Sequence, residues 1–161
     1  MANAKIFKEE FNKRNMKAPP NALNLSSMRL GLNSIVALAG ILANRKDIER
    51  LNVADNSISD YGMSAVKTIL NSVNLKSINL ASNMISGEGL ELILDELIQH
   101  RTLKAIDIGI SEGSLKKNAL GIQGAVCISA LLIKNRTLEA LSVNDNDLGT
   151  DGGECIGIAL S

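Results

Sequence analysis

Residues 75–97 read LKSINLASNMISGEGLELILDEL, and the order of apolar positions within them decides the fold. Leu75, Ile78 and Leu80 lead into an alternating segment in which Ile78 and Leu80 share one face and Asn79 takes the other, the pattern of a half-buried strand. Asn83, Ile85 and Gly89 follow, and then Ile93 and Leu97 recur four apart, as one buried stripe of a helix requires. A strand, a polar turn and a helix are thus written into fewer than thirty residues.

The same frame recurs along the chain. Its strand segments are Leu23/Leu25, Leu51/Val53, Ile78/Leu80, Ile106/Ile108 and Leu141/Val143, and successive copies begin 28, 27, 28 and 35 residues apart. A fixed period of this size is the mark of a stacked solenoid, which builds an extended surface more readily than a pocket for chemistry. The long last step places an insertion after Ile108, near residues 109–117. Asn56, Asn83, Asn118 and Asn146 follow the strands, where an amide that both donates and accepts can tie one turn to the next. Gly62, Gly89, Gly124 and Gly152 are expected to mark the turn into each helix, followed by stripes Val66/Leu70, Ile93/Leu97, Ile128/Leu132 and Ile156/Leu160. The first copy departs from the frame, with Met28 and Ser34 at the asparagine and glycine positions and Leu38 and Leu42 keeping the stripe.

A chain of 161 residues with 45% hydrophobic content can bury a core of its own. Seventeen basic and seventeen acidic residues leave no net field to draw a nucleic acid or an anionic membrane, so neither is expected as a partner. The charged start MANAKIFKEEF holds no signal-peptide run and nothing in the sequence is long and apolar enough to span a bilayer. The expected location is cytoplasmic, delivery into a host cell as an effector being a second route to the same compartment. Sequons at Asn24 and Asn135 are discounted on that ground.

On these residues the chain resembles the ribonuclease-inhibitor-type leucine-rich repeat, most closely in KNRTLEALSVNDNDLGTDG at 134–152. The resemblance spans roughly residues 21–161. It implies an α/β leucine-rich-repeat solenoid, a horseshoe arc of five βα repeats with the parallel sheet concave and the helices convex. The expected repeats are 21–47, 48–74, 75–102, 103–137 and 138–161, after an N-terminal capping helix and Pro-Pro linker over 1–20. The family generally binds proteins; it includes inhibitors, innate sensors, activators of the Ran GTPase and the tropomodulins. Residues 74–89, NLKSINLASNMISGEG, are similar to the tropomodulin repeat domain. The expected function is therefore a non-catalytic protein-interaction module in a scaffold, sensor or effector. Actin capping of the tropomodulin type is the alternative, and a Ran-type GTPase activator stands behind both.

The outward strand positions supply the candidate partner-binding residues. Asn24, Asn52, Asn79, Asp107 and Ser142 form a central row, flanked by Arg50, Ser77, Ala105 and Ala140 on one side and by Ala54, Ala81 and Asn144 on the other. Tyr61, the one tyrosine, and Lys116 and Lys117 of the insertion complete the set, because aromatic groups and loops on rigid scaffolds are common contact points. The insertion shows no evident packing demand. No catalytic group, cofactor or metal is expected. His100 is the one histidine and has no second one to work with, while Cys127 and Cys155 occupy equivalent helix positions as small hydrophobes. DNDLGTDG at 145–152 fails the register of a calcium loop, since Thr150 and Ile156 stand where glycine and glutamate are needed. Before the repeats, Phe7 and Phe11 lie one helical turn apart and are expected to cap the first repeat, a ligand helix for a partner being the other reading. At the other end no polar closing element follows Leu160, so either a parent chain that continues or self-association through an open C-terminal face is expected.

Overall fold

The computed structural model describes residues 9, 12, 13, 15, 16 and 18–161. Phe7 and Phe11 lie outside them. The elements run β1 (Ala22–Asn24), α1 (Gly31–Leu42), β2 (Arg50–Asn52), a 3-10 turn (Asp60–Gly62), α2 (Met63–Ser72), β3 (Ser77–Asn79), α3 (Gly87–Glu91), α4 (Leu94–Gln99), β4 (Ala105–Asp107), α5 (Gly121–Lys134), β5 (Ala140–Ser142) and α6 (Gly149–Leu160).

The five strands form one parallel sheet in chain order, β1 to β5. Leu23, Leu51, Ile78, Ile106 and Leu141 stand in register, and so do Asn24, Asn52, Asn79, Asp107 and Ser142. The 28-residue period explains this: each copy hands the chain on by one strand width, so equivalent residues fall side by side. Leu51, Ile78 and Ile106 are turned into the core together with Ile35, Met63, Ile69, Leu97 and Ile128 of the helices. Each such side chain contributes about 1.5–3 kcal/mol when fully buried, and together they hold sheet and helices as two layers.

Asn56, Asn83 and Asn118 form a continuous buried ladder. Asn56 Nδ2 donates to Leu25 O, Val53 O and Ala54 O, and Asn83 repeats the set one copy on, to Val53 O, Leu80 O and Ala81 O. The residues on either side of Asn56, Asn83 and Asn146 take left-handed backbone conformations, as Asp55 (φ 56°) and Ser57 (φ 54°) do around Asn56. That kink aims the amide inward, and short polar side chains tolerate it best.

Three expectations change. The glycines at 89, 124 and 152 lie inside the first turn of their helices, not in the turns before them; the turn glycines are Gly121 and Gly149, with φ of 55° and 69°. The inner glycines are bare because neighbours press on them, as Leu120 does on Gly124. Second, the helix of the third repeat is broken into α3 and α4, with Ile93 N bonding back only three residues to Leu90 O, and this turns Leu92 out to solvent where Cys127 at the equivalent position is buried. Third, the insertion does have a packing role. It runs back over the turns of earlier repeats, with Ser111 N donating to Ser82 Oγ at 2.8 Å and Ser114 Oγ to Asp55 Oδ1 at 3.0 Å.

Candidate functional site

Each strand is three residues long and ends on the central row. At four of the five positions the side chain there closes a turn on the backbone two residues ahead: Asn24 Oδ1 accepts from Ser26 N, Asn52 Oδ1 from Ala54 N, Asn79 Oδ1 from Ala81 N and Asp107 Oδ1 from Gly109 N, all at 2.9–3.0 Å. Asn and Asp are the residues that make such turns. The row is therefore structural on its oxygen side and open on its other side. Because the strand stops here, Ala54 and Ala81 are buried, at 2% and 0% exposure, and of the flanking row that they were read to form with Asn144, Asn144 alone is exposed.

The outward faces of all five strands line one groove of about 740 Å³, which Ala18 and Pro19 extend past β1. It holds Asn24, Arg50, Asn52, Asn79, Asp107 and Ser142 of the expected set. The other four lie outside its lining. Asn144 accepts from Ser142 Oγ at 3.0 Å and donates to Asp145, so it turns toward the loop, over a bare Gly109. Tyr61 is 84% exposed in the 3-10 turn leading into α2. Lys116 and Lys117 are bound within the chain, to Asp55 at 3.2 Å and Asp147 at 2.6 Å, so the inserted loop is strapped to the second and fifth repeats.

Charge is largely neutralised around the rims. Below the strands Glu49 accepts from Asn21 at 2.6 Å and pairs with Lys76 at 2.8 Å, while Lys104 pairs with Glu139 at 2.7 Å. The Lys76 bond holds the Glu49 carboxyl below its ordinary pKa against a partial desolvation cost. Burial pushes the Asp55 carboxyl up, but hydrogen bonds from Lys116, Ser27 and Ser114 together bring it below the usual range. Within the groove Asn79 Nδ2 donates to Asp107 Oδ2 at 3.0 Å. Arg50 is exposed and makes no hydrogen bond or ion pair among the described residues.

His100 has a different task. Its Nδ1 accepts from Leu103 N at 3.1 Å at the end of α4, and its Nε2 is buried without a hydrogen bond, near the equally unpaired Glu96 Oε2, in a separate cavity of about 290 Å³. Burial lowers the imidazole pKa from 6.5, against an opposing contribution from the Leu70 carbonyl. Among the described residues no three His, Cys, Asp or Glu side chains come together as a metal site, and no helix is long and apolar enough to cross a membrane.

Residues 46–67, 71–94 and 134–157 match the family model described as Leucine Rich repeat. The chain is a leucine-rich-repeat protein. The stretch between the last two matches holds the inserted loop, where the repeat is irregular. This leucine-rich-repeat chain is 30% identical to the ribonuclease inhibitor of Mus musculus over 149 residues, 90% of the chain and 31% of that protein. It is 26% identical to the Rho GTPase-activating protein gacW of Dictyostelium discoideum over 137 residues, 79% of the chain and 12% of that protein. It thus spans less than a third of the length of these relatives. Two solved structures share the fold: the tropomodulin C-terminal domain of Caenorhabditis elegans (TM-score 0.68, 18% identity) and leiomodin-1 actin-binding site 2 (TM-score 0.63, 21% identity), each covering 96% of this chain and 90% of its own.

Proposed function

We propose that this leucine-rich-repeat protein is a non-catalytic interaction module that takes a protein partner along the groove of its sheet and the adjoining loops. The observation that carries this reading is the groove itself: it runs unbroken over five strands, and its outward residues are short polar side chains and alanines apart from Arg50, on a backbone fixed by the asparagine ladder. A rigid, preformed surface of this kind spends little ordering free energy on binding. An intracellular setting belongs to the same reading, Cys127 and Cys155 both being free thiols. The test is a photo-crosslinking residue placed at Ser77 in the groove or at Ser64 on α2, expressed in cells. Specific adducts from Ser77 alone support the proposal; adducts from Ser64 alone, or from neither, remove it.

A second reading is cytoskeletal. It is favoured by the likeness over nearly the whole chain to tropomodulin and to a leiomodin segment whose name assigns it to actin binding. If this chain caps filament ends, it slows elongation of pyrene-labelled actin at substoichiometric ratios. Elongation unchanged by excess protein eliminates the capping role while leaving the groove proposal standing.

A further inference from the structure

We infer that the β1–β2 half of the groove is a carboxylate-reading subsite, built for an acidic side chain on an extended segment of the protein partner. This rests on the groove being the partner-binding face. Asn24 and Asn52 are side by side in register. The Oδ1 atom of each is held by a backbone N–H, from Ser26 at 3.0 Å and from Ala54 at 3.0 Å, and an N–H must face an acceptor. The amide orientation is thereby fixed, and both NH2 groups are presented to the groove. Neither has an acceptor among the described residues, whereas the equivalent amide of Asn79 is already taken by Asp107.

Arg50 stands two residues before Asn52 on the same face of β2 and is likewise unpaired. Its nearest charged neighbour in sequence, Glu49, makes its hydrogen bonds with Lys76 and Asn21 and acts on Arg50 only through its charge. This half of the groove therefore offers two amides and a guanidinium, all donors, with their oxygens withdrawn into the turns. A carboxylate accepts only, at both oxygens, and pairs with guanidinium in a bidentate fork. Strands about 4.8 Å apart set the two amides at a spacing that one carboxylate group can span. A nucleic acid fits poorly, because phosphate polymers call for several cations and this groove has one that is free.

The geometry also supplies a perturbation. Asp107 makes the same turn with a carboxylate that Asn52 makes with an amide, so Asn52→Asp retains the bond to Ala54 N while it replaces the exposed donor by an acceptor and adds one negative charge beside Arg50. Fluorescence anisotropy on the full chain compares labelled Gly-Ser-Glu, Gly-Ser-Gln and Gly-Ser-Lys repeat peptides. The Glu peptide is expected to bind at least about tenfold more tightly than the other two, with affinity falling as salt rises. Asn52→Asp and Arg50→Ala, folded by circular dichroism, are each expected to lose about tenfold of that affinity. Glu and Gln peptides binding alike, no binding of the Glu peptide, or an unchanged Asn52→Asp overturns the assignment. Crosslinking from Ser77 separates the two levels: adducts that persist in Asn52→Asp retain the groove and reject the carboxylate subsite, and adducts only from the helix face reject both.

Discussion

Asn83 donates its backbone N–H to Asn118 Oδ1 at 2.9 Å, joining residues 35 positions apart across the irregular repeat. Asn118 Oδ1 also accepts from Ile85 N at 2.9 Å, and its Nδ2 donates to Leu80 O at 3.1 Å and Ile108 O at 2.8 Å. The residue is fully buried, so the chain inserted ahead of it leaves the ladder intact. Asn118→Ala strands the N–H groups of Asn83 and Ile85, while Leu80 O and Ile108 O keep their bonds from Asn83 and Asn146, and at about 1–3 kcal/mol for each group left unpaired it is expected to cost about 2 kcal/mol or more. Asn146, whose Oδ1 has no partner, should cost less when replaced by Ala. Urea unfolding of both variants checks the order; equal midpoints would contradict it.

Two glycines should respond to alanine with opposite signs. A Cβ at Gly87 would stand 2.6 Å from Leu120 O and 2.7 Å from Gly124 N, both backbone atoms of the neighbouring repeat, whereas a Cβ at Gly40 in α1 meets nothing within 4 Å. Gly87→Ala should destabilise by about 1–3 kcal/mol through overpacking. Gly40→Ala, at an exposed helical site, should stabilise by about 0.4–1 kcal/mol. Thermal melts of the two variants decide the matter.

His100 makes stability depend on pH in a stated direction. Its folded pKa lies below the ordinary 6.5, so the unfolded chain takes up the proton first and stability falls as pH drops below that value, levelling off beneath the folded pKa. Protonated Nδ1 cannot accept from Leu103 N. Asn135, one repeat later, fills the equivalent place with an amide: Oδ1 accepts from Thr137 N at 2.8 Å and Leu138 N at 2.7 Å, and Nδ2 donates to Leu97 O at 2.8 Å. His100→Asn should therefore fold and flatten the fall in stability below pH 6.5. A melting-temperature profile with the wild-type slope would show that another group is responsible.

Asp55 anchors the inserted loop through Ser114 and Lys116. Its folded pKa is lowered, so the anchor is complete above the ordinary carboxylate value of 3.8 and is lost as pH falls through the folded one. Removing it by Asp55→Ala should cost about 1–3 kcal/mol, since the ion pair is partly exposed but alanine must also hold the left-handed φ of 56°. Cleavage by a glutamate-specific protease at Glu112 should nevertheless accelerate clearly at neutral pH. Unchanged cleavage would mean that the Ser111–Ser82 and Lys117–Asp147 contacts suffice to hold the loop.

The strand register was legible in the sequence because a period-two strand repeated at near-constant spacing leaves one way to stack, and Leu51, Ile78 and Ile106 follow it. The central row came with it, since residues between inward leucines face outward. The turn closed by each Asn Oδ1 was signalled only weakly, by Asn or Asp at the end of four strands. Ala54 and Ala81 were misplaced because alternation was carried past the point where the strand stops. The role of the insertion was not legible, because Ser114 meets Asp55 across 59 positions and no local pattern encodes that contact.

The sequence by itself determined the repeat, the parallel sheet, the buried ladder and the face left open, all of which follow from periodicity and from local hydrogen-bonding capacity. Only the tertiary structure decided which donors on that face remain free. Asn52 and Asn79 are alike in sequence terms, yet the amide of one has no acceptor among the described residues and the other gives its amide to Asp107. Hydrogen-bond satisfaction depends on what stands in the next strand, and that neighbour is fixed only when the repeats have stacked.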